Sequence, residues 1–361
     1  MAAMPRTVQV LVLAVTVAAC EESVAPPVVP DFAPGAPALL STASPGKDED
    51  PSVILARDGS LVVAWFSDRG GNPDLYVTRT HDGVHWESVV RVTNDPGGDF
   101  YPNLFQDDLG VFHLVWFRWY ALERGHIVHN QSTDAMSWSA AGEDSVTTTP
   151  DVDDWVPCVT GAADSLLVFF VSALRDGANP TSDIYMTVRH PGATGWDAAA
   201  RVPGINSASE HDHLPVAART ATNQFTLVWV RHDTSQPAPW LDPPPVSHLY
   251  YAQSPDGSLW SAPQAITNDA GAVVNVFPGL YRRGGGEWRI AWLSTRSGAA
   301  SVWELPLAGA SAYPAGVIAN PSLPPGYSHR ISPTPAPGAY LAAWVQGPEG
   351  AQDIYYRVYR P

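Results

Sequence analysis

Residues 48–93 read DEDPSVILARDGSLVVAWFSDRGGNPDLYVTRTHDGVHWESVVRVT. An apolar run after Pro51 meets an Asp-Gly turn, and a second run ends around Trp65. A polar loop, a third run over 75–80, a tight THDGVHW turn and a fourth run over 89–93 complete the unit. Runs this short, punctuated by Gly, Asp and Pro, are strands joined by turns.

The unit recurs. Pro51 and Trp65 are 14 positions apart, as are Pro102 and Trp116, Pro215 and Trp229, and Pro278 and Trp292. A degenerate copy runs from Pro157 through Phe169 and Phe170, and a last one places Trp344 in the run 340–345 with its start near Arg330. Six four-stranded units at steps of 51, 55, 58, 63 and about 52 residues predict an all-β, six-bladed propeller with four antiparallel strands per blade. Composition agrees: 35 Pro, 29 Gly and 14 Trp among 361 residues leave no long stretch of helical period.

The two ends of the chain complement each other. Setting 38–51 under 89–102 places Thr42 nine before Pro51, as Thr93 lies nine before Pro102, with Asp48 and Asp99 each three before their Pro. Residues 38–42 thus read as the fourth strand of a blade whose first three strands come from 327–361. Pairing 38–42 with 354–359 would close the ring and leave no open edge.

Ahead of the ring, Arg6 and the apolar run 7–19 fit a signal peptide over 1–19, too short to cross a bilayer. The ending Val17-Ala18-Ala19-Cys20 resembles a bacterial lipobox. That resemblance implies cleavage before Cys20 and a lipid on its thiol; the alternative is an ordinary signal peptide. Residues 20–37 read as a Pro-rich, semi-rigid tether and 38–361 as the propeller. The protein is then exported, held at the cell envelope by its lipid alone, or secreted if not lipidated. A net charge of −16 repels phosphate backbones, so nucleic acid is not a partner. Cys158, in an apolar run beside Asp153 and Asp154, reads as a small buried hydrophobe and leaves the body without a disulfide.

The third-to-fourth-strand turns share Thr80-x-Asp82-x3-Trp86, Ser132-x-Asp134-x3-Trp138 and Ser254-x-Asp256-x3-Trp260, with 189–196 an eroded copy. Here the sequence resembles the Asp-box (bacterial neuraminidase) repeat of sialidase-like propellers, over about 38–361. The motif is structural: the Asp accepts backbone N–H groups of the turn and the Trp packs between blades.

Strand polarity sorts the remaining candidates. The Asp-boxes fall on one face, the bottom. On the other, the top, lie Asp48, Asp99, Asp154 and Asp212, each three before its Pro, with Asn275 and Tyr327 in their place in blades 5 and 6. Arg69, Arg118, Arg175, Arg231 and Arg296 leave the second strands on the same face. Two readings stand: inter-blade Arg–Asp pairs that stitch the repeat together, or a site that clamps an anionic or polyhydroxylated ligand. Under the second, Arg118, Arg231, Arg296 and Arg330 should converge. Departures from the repeat are Trp119, Tyr120, Trp155, Glu210, His211, His213, Tyr327, His329 and Arg330. Blade 4 also carries an insertion over 235–247 that presents Trp240 among prolines, a lid or a loop packed on its own blade.

The resemblance implies, for a true sialidase, an arginine triad, a Tyr nucleophile paired with Glu, and an Asp acid. Its Arg-Ile-Pro motif is approached only by Arg330-Ile331-Ser332, with Ser for Pro, and no Tyr/Glu pair is assignable from the sequence. His211, His213 and His232 lack the arrangement of a closed metal site, and no cofactor is expected. The expectation is a monomeric propeller binding an extracellular glycan or other ligand on its top face. A glycoside hydrolase and a protein-docking scaffold are the alternatives.

Overall fold

The structure is a computed structural model that describes residues 32, 35–41, 46–120, 124–149, 152–163, 165–173, 175, 181–233, 246–282, 286–298, 300–309, 316–317, 330–334, 336, 339–348 and 350–359. Cys20, Thr42, Trp240, Tyr327 and His329 lie outside them, as does most of the blade 4 insertion.

Six four-stranded antiparallel sheets form the blades. Blade 1 holds β2 (Asp48–Leu55), β3 (Leu61–Ser67), β4 (Asp74–Thr80) and β5 (Val90–Arg91). Blade 2 holds β6 (Gly98–Gln106), β7 (Phe112–Trp119), β8 (His126–Ser132) and β9 (Asp144–Ser145). Blade 3 holds β10 (Asp154–Ala162), β11 (Ser165–Ala173), β12 (Ser182–Arg189) and β13 (Ala200–Arg201). Blade 4 holds β14 (Glu210–Ala221), β15 (Gln224–Asp233), β16 (His248–Ser254) and β17 (Gln264–Ala265). Blade 5 holds β18 (Asn275–Arg282), β19 (Trp288–Ser294), β20 (Ser301–Pro306) and β21 (Gly316–Val317).

Blade 6 is shared between the chain ends, as the complementarity of 38–51 and 327–361 predicts. Its strands are β22 (Arg330–Pro333), β23 (Tyr340–Gln346), β24 (Asp353–Tyr359) and, from the N-terminal side, β1 (Ala38–Leu39). Ala38 pairs with Tyr356 and Leu39 with Tyr355, and the Leu40 N–H continues to the Ile354 carbonyl at 2.7 Å. Phe32, within the stretch read as tether, is fully buried in the seam between blades 6 and 1. A Cβ on Gly83 would stand 2.7 Å from its ring and 3.3 Å from Val358. Gly83 lies in the bottom turn of blade 1, so the chain reaches the ring from below.

The second strands explain the long apolar runs. Every residue of β3 is buried, because both faces of a blade are covered by its neighbours. In β7, Leu114 and Trp116 pack toward blade 1 while Val115 packs toward blade 3. Trp65, Trp116, Trp229, Trp292 and Trp344 are the largest side chains sealed this way. Truncating one to Ala removes contacts worth about 3–5 kcal/mol.

The Asp-boxes hold the bottom turns as the motif implies. Asp134 accepts the N–H groups of Met136 at 2.9 Å and Ser137 at 2.7 Å. Burial raises its carboxyl, but those bonds and the Ser137 and Ser132 hydroxyls outweigh burial and bring it down to about 2. Asp82 and Asp256 accept the same pair of turn N–H groups. Trp86 meets Tyr356 of blade 6 edge-on, and Trp260 meets Phe169 of blade 3, each one blade back around the ring.

Candidate functional site

Two sets of residues circle the channel at the top, where the inner strands begin. The first is the predicted Asp and Arg ring. Asp99 stands opposite Arg118 in the pairing of β6 with β7. Arg118 donates Nε to Asp99 Oδ1 at 2.7 Å and Nη2 to Oδ2 at 3.1 Å. The Trp116 indole donates to the same Asp99 Oδ1 at 2.7 Å, and Arg118 Nη1 reaches Glu143 at 2.7 Å. Burial raises the Asp99 carboxyl, and Arg118 opposes that shift. Blade 4 repeats the set: Arg231 donates to both oxygens of Asp212 and the Trp229 indole donates to Asp212 at 2.7 Å. Arg69 forks onto Asp48, and Arg175 binds Asp154. In blade 5 Asn275 accepts the Trp292 indole at 3.0 Å, and the carboxylate comes from Asp269, which binds both Asn275 and Arg296.

These pairs lie within blades 1–4, joining first to second strand, and not between blades. The reason is register: the Asp three before the Pro falls level with the end of the second strand of its own blade. In blade 5 the acid comes from the connection between blades, and Asp95 of the connection before blade 2 adds a looser contact to Arg118 at 3.6 Å. Arg118, Arg231 and Arg296 therefore do not share a common space, and none of them lines the central cavity.

The second set does line it. Asp50, Tyr101, Val156, Leu214 and Phe277 each stand immediately before the inner-strand Pro. Each has φ near +50°, in the left-handed region that a residue with a side chain occupies at a cost of about 1–3 kcal/mol. Each coincides with a register shift between first and second strand. A bulge re-aims the side chain it carries, and here five bulges turn five side chains into one cavity of about 340 Å³.

Blade 6 contributes differently. The 14-residue spacing puts Arg330 in the place of the Pro. The pairing puts it one position further, opposite Ala343 as Ser52 is opposite Ala64. Arg330 lines the cavity as well. Burial lowers its affinity for its proton, and the Asp50 carboxylate works against that shift. Arginine keeps its charge through shifts of this kind. Burial, followed by the fields of Asp50 and Glu49, raises the Tyr101 hydroxyl, so it remains a neutral donor. One wall of the cavity is thus polar (Arg330, Asp50, Tyr101) and the facing blades supply Val156, Leu214 and Phe277. Cys158 also faces it, its thiol pushed up to about 11 by burial.

At the bottom end Asp108 receives Arg57 at 2.6 Å, Arg219 at 2.8 Å and the Ala163 N–H at 3.0 Å. This joins the lower ends of blades 1, 2, 3 and 4. Asp50 and Asp108 supply the carboxylates among the described lining residues. Asp108 lies seven residues beyond Tyr101, which shares the level of Asp50, so the two acids are roughly 20 Å apart at 3.3 Å per residue.

Elsewhere the candidates scatter. Trp155 is half-buried opposite Val171, and Glu210 lies 3.9 Å from Arg231. His211, His213 and His232 form a stack, with ring centroids 4.9–5.5 Å apart and planes within 25°. Parallel rings do not converge their nitrogens, and no group of three possible metal ligands occurs among the described residues. Ser182 hydrogen-bonds His211 Nδ1 at 2.8 Å. A Tyr/Glu pair does exist: the Tyr281 hydroxyl donates to Glu304, which Arg289 also binds at 2.8 Å. It sits at the bottom of blade 5, and burial together with Glu304 raises the phenol, the opposite of what a nucleophile needs.

The residue immediately before each Pro was not among the candidates read from the sequence, whose Asp residues lay three before it. The signal was present. Asp, Tyr, Val, Leu and Phe share no single chemistry, so this position varies inside a repeat whose neighbouring positions recur.

No protein-family model and no curated protein matches this chain. Solved structures do share its fold. An α-L-arabinanase of Penicillium chrysogenum, solved with arabinobiose, superposes with a TM-score of 0.68 at 14% identity, over 90% of this chain and 98% of that one. The α-L-arabinofuranosidase Arb93A of Fusarium graminearum, solved with an iminosugar inhibitor, gives 0.67 at 15%, over 89% and 98%. A Hadza microbial sialidase gives 0.53 at 10%, over 87% and 66%. The chain shares the six-bladed propeller fold of these structures.

Proposed function

We propose that this protein is an exported propeller that binds one end of a glycan in its central cavity. The carrying observation is the cavity's asymmetry. Arg330, Asp50 and Tyr101 offer a cation, a carboxylate and a phenol along one wall, while Val156, Leu214 and Phe277 offer an apolar one. A sugar ring presents hydroxyls at its edge and C–H groups on its faces, which suits such a pocket. Arg330 adds a preference for a ligand bearing a carboxylate. The arabinobiose-bound and inhibitor-bound neighbours support a saccharide as the ligand class.

Hydrolysis is the second reading, favoured by the same neighbours. Two catalytic carboxyls act across about 5–9.5 Å, whereas Asp50 and Asp108 are far more widely separated, and Asp108 is committed to two arginines. A glycan array and a panel of fluorogenic glycosides, both run on residues 32–361, separate the readings. Binding without turnover, lost in Arg330→Ala, is expected. Turnover that survives purification would replace binding by hydrolysis, and an array without hits together with no turnover would remove both.

The lipobox reading places a lipid on Cys20. Phe32 meets the ring at its bottom, so such an anchor would tether the ring from that side. Cys20→Ser should release the protein from the membrane fraction. A mature N-terminus at any residue other than a modified Cys20, read by mass spectrometry, removes the anchor.

A further inference from the structure

Trp119 is the last residue of β7, at the top, and is 46% exposed. It is the only exposed Trp, Tyr or Phe among the described residues. Aromatic residues in sheets ordinarily pack against a large cross-strand partner. Trp119 instead faces Gly98. Gly98 and its neighbour Gly97 lie against other rings: a Cβ on Gly98 would stand 2.7 Å from Phe100, and one on Gly97 would stand 2.9 Å from Tyr120. Gly98 thus brings no side chain of its own across the strand to Trp119.

This platform is continuous with the cavity. Tyr101, which lines the cavity, lies 6.5 Å from Phe117, centroid to centroid. Phe117 and Trp119 are two residues apart on one strand, so both lie on the same side and roughly 7 Å separate them along it. Phe100, 6.1 Å from Phe117, and Phe66, 5.0 Å from Phe100, extend the aromatic contacts toward blade 1. Acceptors flank the layer: Asp95 binds the Gly97 N–H at 2.8 Å and lies 3.6 Å from Arg118.

We propose that Trp119 is a stacking platform for an outer sugar ring of the same ligand, more than one unit out from the ring held in the cavity. The ligand class is then an oligosaccharide, not a free monosaccharide. An indole face offers flat apolar area to the C–H face of a sugar, at little entropic cost because the side chain has two rotatable bonds. The inference rests on the glycan-binding reading of the cavity.

The test keeps the two apart. An array of mono-, di- and trisaccharides identifies the best-bound oligosaccharide. That compound and its own terminal monosaccharide are then titrated calorimetrically against wild type, Trp119→Ala, Trp119→Phe and Arg330→Ala. Trp119→Ala should weaken the oligosaccharide about tenfold, leave the monosaccharide within about twofold, and keep the wild-type melting temperature because the side chain is exposed. Trp119→Phe should recover most of the loss, and Arg330→Ala should weaken both sugars. If Trp119→Ala binds the oligosaccharide as wild type does while Arg330→Ala loses both, the platform is wrong and the cavity reading stands. If wild type binds no sugar on the array, both fall.

Discussion

Asp99 and Tyr101 are two residues apart on one strand, yet they belong to different worlds. Asp99 is sealed against Arg118 and Trp116, while Tyr101 turns into the channel. Residues two apart on a regular strand share a side. Tyr101 is itself left-handed and sits in the bulge between Phe100 and Asn103, which breaks that rule, and the same break recurs in five blades. The outer ring repeats one chemistry around the propeller because each blade needs the same brace. The inner ring repeats one backbone geometry and varies its side chains. Repetition of side chains marks scaffold here, and repetition of backbone with variation of side chains marks the candidate site.

The comparison breaks most readily at the outer ring. Arg231→Ala strands the buried Asp212 carboxylate, and breaking such a pair costs about 3–5 kcal/mol. Chemical denaturation should show that loss, with glycan affinity of the folded fraction unchanged within about twofold. A stable Arg231→Ala that binds poorly would exchange the roles of the two rings.

The inner ring should respond the other way. Leu214 has φ +49°, a region that Asn occupies more readily than Leu. Leu214→Asn should hold stability within about 1 kcal/mol and yet weaken binding of the array-selected glycan about tenfold, by wetting the apolar wall. Equal loss of stability and binding would make the inner ring structural too.

The histidine stack beside the rings adds a pH dependence. Burial, with a further push from His211, lowers His232 to about 4, below the ordinary 6.5, although the Asp233 carbonyl and charge oppose it. The unfolded chain then takes up protons first. Stability is intact above pH 6.5 and falls as pH drops toward 4, by up to about 1.4 kcal/mol per pH unit for this group. Melting curves of His232→Gln should lose less on acidification over that window than wild type. Parallel curves would mean that His232 charges freely in the fold.

The smallest effect belongs to the bottom clasp. Arg57 and Asp108 are both substantially exposed, and Arg57→Ala should cost no more than about 1 kcal/mol by thermal melting, less than any outer-ring change. A larger loss would show that the clasp, not the top braces, holds blades 1, 2 and 4 in register.

Periodicity determined the architecture from sequence alone. A unit that cannot bury both faces by itself must stack on copies of itself, so the spacing of Pro and Trp fixed six blades. The missing fourth strand of the last blade placed 38–42 beside 354–359. The Asp-boxes were legible because their hydrogen bonds are local, within five residues of chain. Which of the top-face residues share a space was decided only by the tertiary structure. Asp99 and Arg118 are 19 positions apart, and their union depends on register. The inner ring depends on bulges that no composition announces, and it gathers five side chains from five blades around one axis. Local spacing carries strand, turn and repeat. The direction of a side chain at a bulge, and its company across a ring, exist only once the ring has closed.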